Sequence, residues 1–101
     1  MLIKFINRIY HENNLVAVLS IRRDCPIPSK GTHVHVAMAD LKIDEIHQFV
    51  DDNQINCCAE KTWVGSKEAL DECIKKWISY GWSKDSDDAA INISPLFVPK
   101  V

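Results

Sequence analysis

The chain has 101 residues, 47% of them hydrophobic and 26% charged, with a formal net charge of −2. That length suits a single domain, residues 1–101, with its own core, and the composition lies well away from that of disordered chains. No Lys/Arg run exceeds two residues, so the overall signal of a nucleic-acid binder is missing and such a partner is not expected.

The N-terminal run is interrupted by Lys4, Asn7 and Arg8, which excludes a signal peptide or a membrane span there, and no later stretch is long enough to cross a bilayer. Cys25, Cys57, Cys58 and Cys73, without a secretion signal, read as reduced thiols. The expected compartment is therefore the cytoplasm, with no membrane partner.

Residues 2–10 can be read in two ways. Leu2, Ile3, Phe5, Ile6, Ile9 and Tyr10 form a helical stripe, but the run is rich in isoleucine and aromatics and has no helix cap. Residues 15–22 are short and β-branched, the mark of a strand. Asn13 and Asn14 tolerate positive φ, so a hairpin of 2–10 with 15–22 is the favoured reading, with a helix for the first segment as the alternative. Two prolines and a glycine make 24–32 a loop. Residues 33–39 alternate, with Val34, Val36 and Met38 on one face and His33 and His35 on the other, and read as a strand.

Asp40 then stands as the cap of a helix over 41–52, its stripe made of Ile43, Ile46, Phe49 and Val50. Residues 55–64 read as a strand. Ser66 to Gly81 is the clearest element: Leu70, Cys73, Ile74, Trp77 and Ile78 share one side of a helix, Ser66 caps its start and Gly81 closes its end. SKDSDD at 83–88 reads as a solvated loop, and the proline-bearing tail 90–101 as extended chain.

The expected fold is thus α+β, ordered β-β-β-α-β-α-β: a mixed sheet of four to five strands with two helices packed on one face. Strand 33–39, helix 41–52 and strand 55–64 would form a right-handed crossover unit, and the far face of the sheet would be left to solvent or to a partner.

Candidate chemistry is sparse. His33 and His35 share a strand face and, with Cys57, offer at most three ligands; the paired C-x-x-C units of a zinc ribbon are absent, so no metal or other cofactor is expected. Cys25 lies near Arg22, Arg23 and Lys30, cations that lower a thiol pKa, but Pro26 and Pro28 remove backbone donors that an anion-binding loop needs. Asp85-Ser86-Asp87-Asp88 lacks the glycine and terminal glutamate of a calcium loop. No phosphate-loop or hydrolase motif occurs.

The remaining signal is one of surface. Trp63 and Trp82 bracket the clearest helix, and Asp85, Asp87 and Asp88 follow the second, so the expected contact patch joins aromatic anchors to acidic charge. The leading expectation is a non-enzymatic module that binds another protein as an inhibitor or regulator. Toxin-neutralising immunity proteins and phage-borne inhibitors of host defences share this profile. The alternatives are a small metal-dependent or cysteine–histidine enzyme using His33, His35 and a cysteine, and a small-molecule sensor with a pocket between sheet and helices.

Overall fold

The computed structural model describes residues 1–85. Its described part holds seven strands and one helix: β1 (Leu2–His11), β2 (Asn14–Asp24), β3 (His33–Val36), β4 (Ala39–Phe49), β5 (Gln54–Ala59), β6 (Thr62–Trp63), α1 (Lys67–Ser79) and β7 (Ser83–Lys84). The strands run β3-β4-β5-β1-β2-β7 across one curled mixed sheet, with β6 beside β1 beyond the end of β5.

The N-terminal hairpin forms as its sequence indicates. β1 pairs antiparallel with β2 from Leu2↔Asp24 to His11↔Asn14, and the reversal uses positive φ at Glu12 and Asn13. The competing helical stripe of 2–10 arises because β1 is apolar on both faces. Ile3, Phe5 and Ile9 face one side and Ile6 the other, all fully buried. A strand buried on both faces loses its alternation, and any period can then be read into it.

The expected two-helix architecture is wrong. Residues 41–52 are not a helix; most of them belong to β4, which doubles back on β3 through Ala37 and Met38, both left-handed (φ 45° and 67°). β4 then pairs antiparallel with β5, so the proposed crossover unit does not exist. A β-bulge explains the misreading. The register slips between Ile43 and Glu45, so that Ile43 pairs with Ala59 and Ile46 with Cys57. One extra residue returns Ile46 to the face of Ile43, and a strand acquires the three-residue apolar spacing of a helix. The parallel contact is instead β1 with β5, from Ile3↔Ile55 to Ile6↔Cys58. The solvated loop expected from residue 83 opens as β7, paired with Leu19 and Ser20 of β2. The tail 90–101 lies outside the described residues.

α1 follows its sequence closely. Ser66 Oγ accepts a hydrogen bond from Ala69 N (3.1 Å) at the N-cap. At the other end Gly81 adopts φ +100°, and its N–H donates to Ile78 O at 3.0 Å while Trp82 N–H donates to Trp77 O at 3.1 Å. These two bonds are the Schellman closure that a left-handed glycine permits. Leu70, Cys73, Ile74 and Trp77 pack on the core face of the sheet, which holds Ile3, Phe5, Ile9, Leu19, Ile43, Ile55 and Cys57. Ile78, the outermost member of the stripe, is half-exposed.

The opposite face is not the open surface expected of it. Ile6, Val18 and Cys58 form a second, smaller buried cluster, and Lys4, Arg8, Ser20 and Asn56 are buried as well. Buried cations require partners. Lys4 Nζ lies 3.1 Å from Asp85 Oδ2, and Arg8 lies 3.5 Å from Asp44 and 3.7 Å from Glu45. Arg8 also donates to Ala59 O (3.1 Å).

Candidate functional site

The exposed aromatic surface centres on β6. Its parallel register with β1 places Trp63 beside Tyr10, with ring centroids 5.1 Å apart and planes tilted by 36°. Lys61 Nζ sits 5.0 Å from the Tyr10 centroid, within range of a cation–π attraction. The backbone is tied down on both sides: Val64 N–H donates to Tyr10 O at 2.9 Å, and His11 Nδ1 lies 3.0 Å from Val64 O. That carbonyl can only accept, so Nδ1 is the donor in this contact. Trp63 keeps 55% of its surface exposed although its ring is held by a neighbour, and a large side chain presented this way loses little freedom on docking.

The other residues expected in this patch are placed elsewhere. Trp82 is 2% exposed and meets Trp77 edge-on, centroids 4.6 Å apart at 75°. It cannot serve as a docking anchor, because the Schellman turn folds it back onto the helix's last inward residue. That contact was readable: an aromatic directly after a helix-closing glycine is a hydrophobic partner for the residue five positions earlier. Asp85 is not a free steering charge either. Its Oδ1 accepts from Ser20 Oγ (2.8 Å), and its Oδ2 makes the Lys4 contact without hydrogen-bond alignment. Asp87 and Asp88 lie outside the described residues.

The metal candidates are not brought together. His33 Nδ1 lies 3.2 Å from Asp40 Oδ1, and His35 Nε2 lies 3.9 Å from the same atom. Both imidazoles are exposed on the β3–β4 hairpin, whereas Cys57 is fully buried in the core. Among the described residues no group of three or more His, Cys, Asp or Glu side chains is arranged to hold a metal ion. Cys57 and Cys58 make poor nucleophiles. Burial pushes the Cys57 thiol up to about 11, with the nearby Cys25 adding to the effect. Cys58 is also pushed up to about 11 by burial, against the lowering influence of Arg8. Cys25 is half-buried and packs against the same core rather than projecting from its loop.

Sequence reading missed a cavity of about 270 Å³, lined by Asn7, Leu41, Ala59, Thr62 and Trp77, among others. It opens where β5 ends and β6 takes its place beside β1, because the single strand expected over 55–64 is broken in two between Ala59 and Thr62. No helix among the described residues is long and apolar enough to cross a membrane. No protein family, curated protein or solved structure matches this chain.

Proposed function

We propose that this protein is a non-enzymatic binding module, an inhibitor or regulator that occludes a working surface of another protein, with Trp63 as its principal anchor. The observation that carries the reading is the exposure of Trp63 on a ring-stacked, hydrogen-bonded support. Tryptophan and tyrosine held rigid at a surface are the usual sources of binding energy between proteins. Lys61, beside the rings, supplies positive charge at the rim, so the complementary partner surface is apolar with an acidic border. The buried thiols of Cys57 and Cys58 and the dispersed histidines weigh against a cysteine–histidine or metal enzyme. A cytoplasmic setting accords with the four unpaired cysteines.

The test is affinity capture from cells that express the protein, followed by calorimetry with the purified partner. Wild type should hold one partner at equal stoichiometry, and Trp63→Ala should weaken it by more than about 2 kcal/mol. Trp63→Phe should retain part of the affinity. Equal affinity of wild type and Trp63→Ala for every captured partner would remove this patch as the interface.

A further inference from the structure

The face of the sheet turned away from α1 is shielded from water, and none of the described elements lies over it. Register sets Ile6 between Ser20 on β2 and Cys58 on β5, Lys4 beside Asn56, and Arg8 beside Val18. These side chains form one continuous field, and none is more than 5% exposed. On an uncovered sheet the tips of such side chains meet water, and lysine and arginine reach furthest into it. Here Lys4 and Arg8 are as buried as their apolar neighbours. The second layer that the described residues supply lies on the other face: α1 through Leu70 and Trp77, the β3–β4 hairpin through Val36 and Leu41. The cluster of Ile6, Val18 and Cys58 has only Leu15, a member of the same sheet, packed against it among the described residues.

The burial holds within one chain, so a second copy or a partner is not needed to account for it. The described chain ends where a cover would begin. Ser83 and Lys84 pair with Ser20 and Leu19 at the β2 edge, and Asp85 N–H donates to Val18 O at 2.8 Å. The Asp85 carboxylate accepts from Ser20 Oγ (2.8 Å) and lies 3.1 Å from Lys4 Nζ, both members of the shielded field. Residues 86–101 follow, and their sequence is polar only at first: Ile91, Ile93, Leu96, Phe97 and Val98 come after Ser86, Asp87 and Asp88. Crossing from β2 to β4 takes three strand spacings, about 14 Å. An extended chain advances about 3.3 Å per residue, so the segment is long enough several times over.

We propose that this face is the seat of the chain's own C-terminal segment, residues 86–101, which docks with its apolar side chains over Ile6, Val18 and Cys58. The segment is then an intramolecular strap, anchored at Asp85, that withholds Lys4, Arg8 and the Cys58 thiol from solvent. The inference is independent of the Trp63 docking surface and can fail without it.

The first test is NMR on full-length protein with ¹³C-labelled isoleucine, leucine and valine methyls. Nuclear Overhauser contacts should join Ile91, Ile93, Leu96 or Val98 to Ile6 or Val18, and the lack of any such contact would overturn the proposal. The second uses Cys58 as a reporter, with Cys57, buried on the opposite face, as its control. Native full-length protein is alkylated with iodoacetamide and each site is followed by mass spectrometry. In Leu96→Asp/Phe97→Asp, Cys58 should react about tenfold faster than in wild type while Cys57 is unchanged, as local opening of one face requires. An equal rise at both thiols, or at neither, would overturn the strap. If that variant fails to fold, the methyl contacts of the wild type decide.

Discussion

Trp77→Ala probes the joint on which the helix is mounted. Trp77 is half-buried at the centre of the α1 face and edge-on to the buried Trp82 ring. A tryptophan in such a setting removes about 150 Å² of apolar surface from water, worth about 4 kcal/mol at the usual coefficient. Truncation to alanine keeps only the Cβ share of this, and it also forfeits the aromatic pair, worth about 1 kcal/mol. Partial exposure and solvent entry at the nearby cavity offset some of the loss. The expected destabilisation is therefore about 3–4 kcal/mol, within the range for deleting a core aromatic. Urea melts followed by far-UV circular dichroism should show a lower midpoint with an unchanged slope. In a double-mutant cycle with Trp82→Ala the two losses should fall short of additivity, because the rings share one contact. A Trp77→Ala loss below about 1 kcal/mol, or strict additivity, would refute the packing argument.

Asp85→Asn should cost about 3 kcal/mol in the same assay, since it strands the buried Lys4 ammonium; Lys4→Met/Asp85→Leu should recover most of that loss, and two equal losses would show the pair to be unimportant. Cys57 and Cys58 titrate near 11 in the fold against an ordinary 9.0. Between pH 9 and 11 the unfolded chain therefore binds fewer protons, and stability should fall with rising pH by up to about 1.4 kcal/mol per unit for each thiol. Cys57→Ala/Cys58→Ala should flatten that fall, and an unchanged slope would discount the thiols. Ala37→Asn/Met38→Gly, which suits a two-residue turn with positive φ at both positions, should raise stability by about 1 kcal/mol in thermal melts, and a loss would show that Met38 makes contacts of its own.

Some of this fold is legible in the sequence alone. The cap, stripe and closing glycine of α1 are local signals, and local signals dictated the result. The β1–β2 hairpin was readable for the same reason, its turn residues and β-branched second strand lying within a few positions of each other. β4 was not, because its bulge is set by pairing with Cys58 and Ala59, residues more than ten positions away, and leaves no mark except a false helical period. Burial of both β1 faces hid its alternation in the same manner. Among the expected contact residues, Trp63 stands exposed as its position at a strand end implied. Trp82 does not, although its place directly after Gly81 carried the opposite message. Asp85 looked solvated because its neighbours in sequence are polar, while its partners, Lys4 and Ser20, come from the other end of the chain.

The position of β1 also dictates an order of assembly. It is the first strand in the chain, yet on one side it is bordered by β5 and β6, which follow β2, β3 and β4 in the chain. Its pairing with β2 closes within a turn, and β3 with β4 likewise, so both hairpins can arise in microseconds. The parallel β1–β5 seam must instead join Ile3 to Ile55, and closing a loop of that length costs about 3.5 kcal/mol in chain entropy before any contact offsets it. Until then β1 presents an unpaired, apolar edge to every other chain in solution. The seam is therefore the slow step of folding and the point at which a crowded chain would pair with a copy of itself.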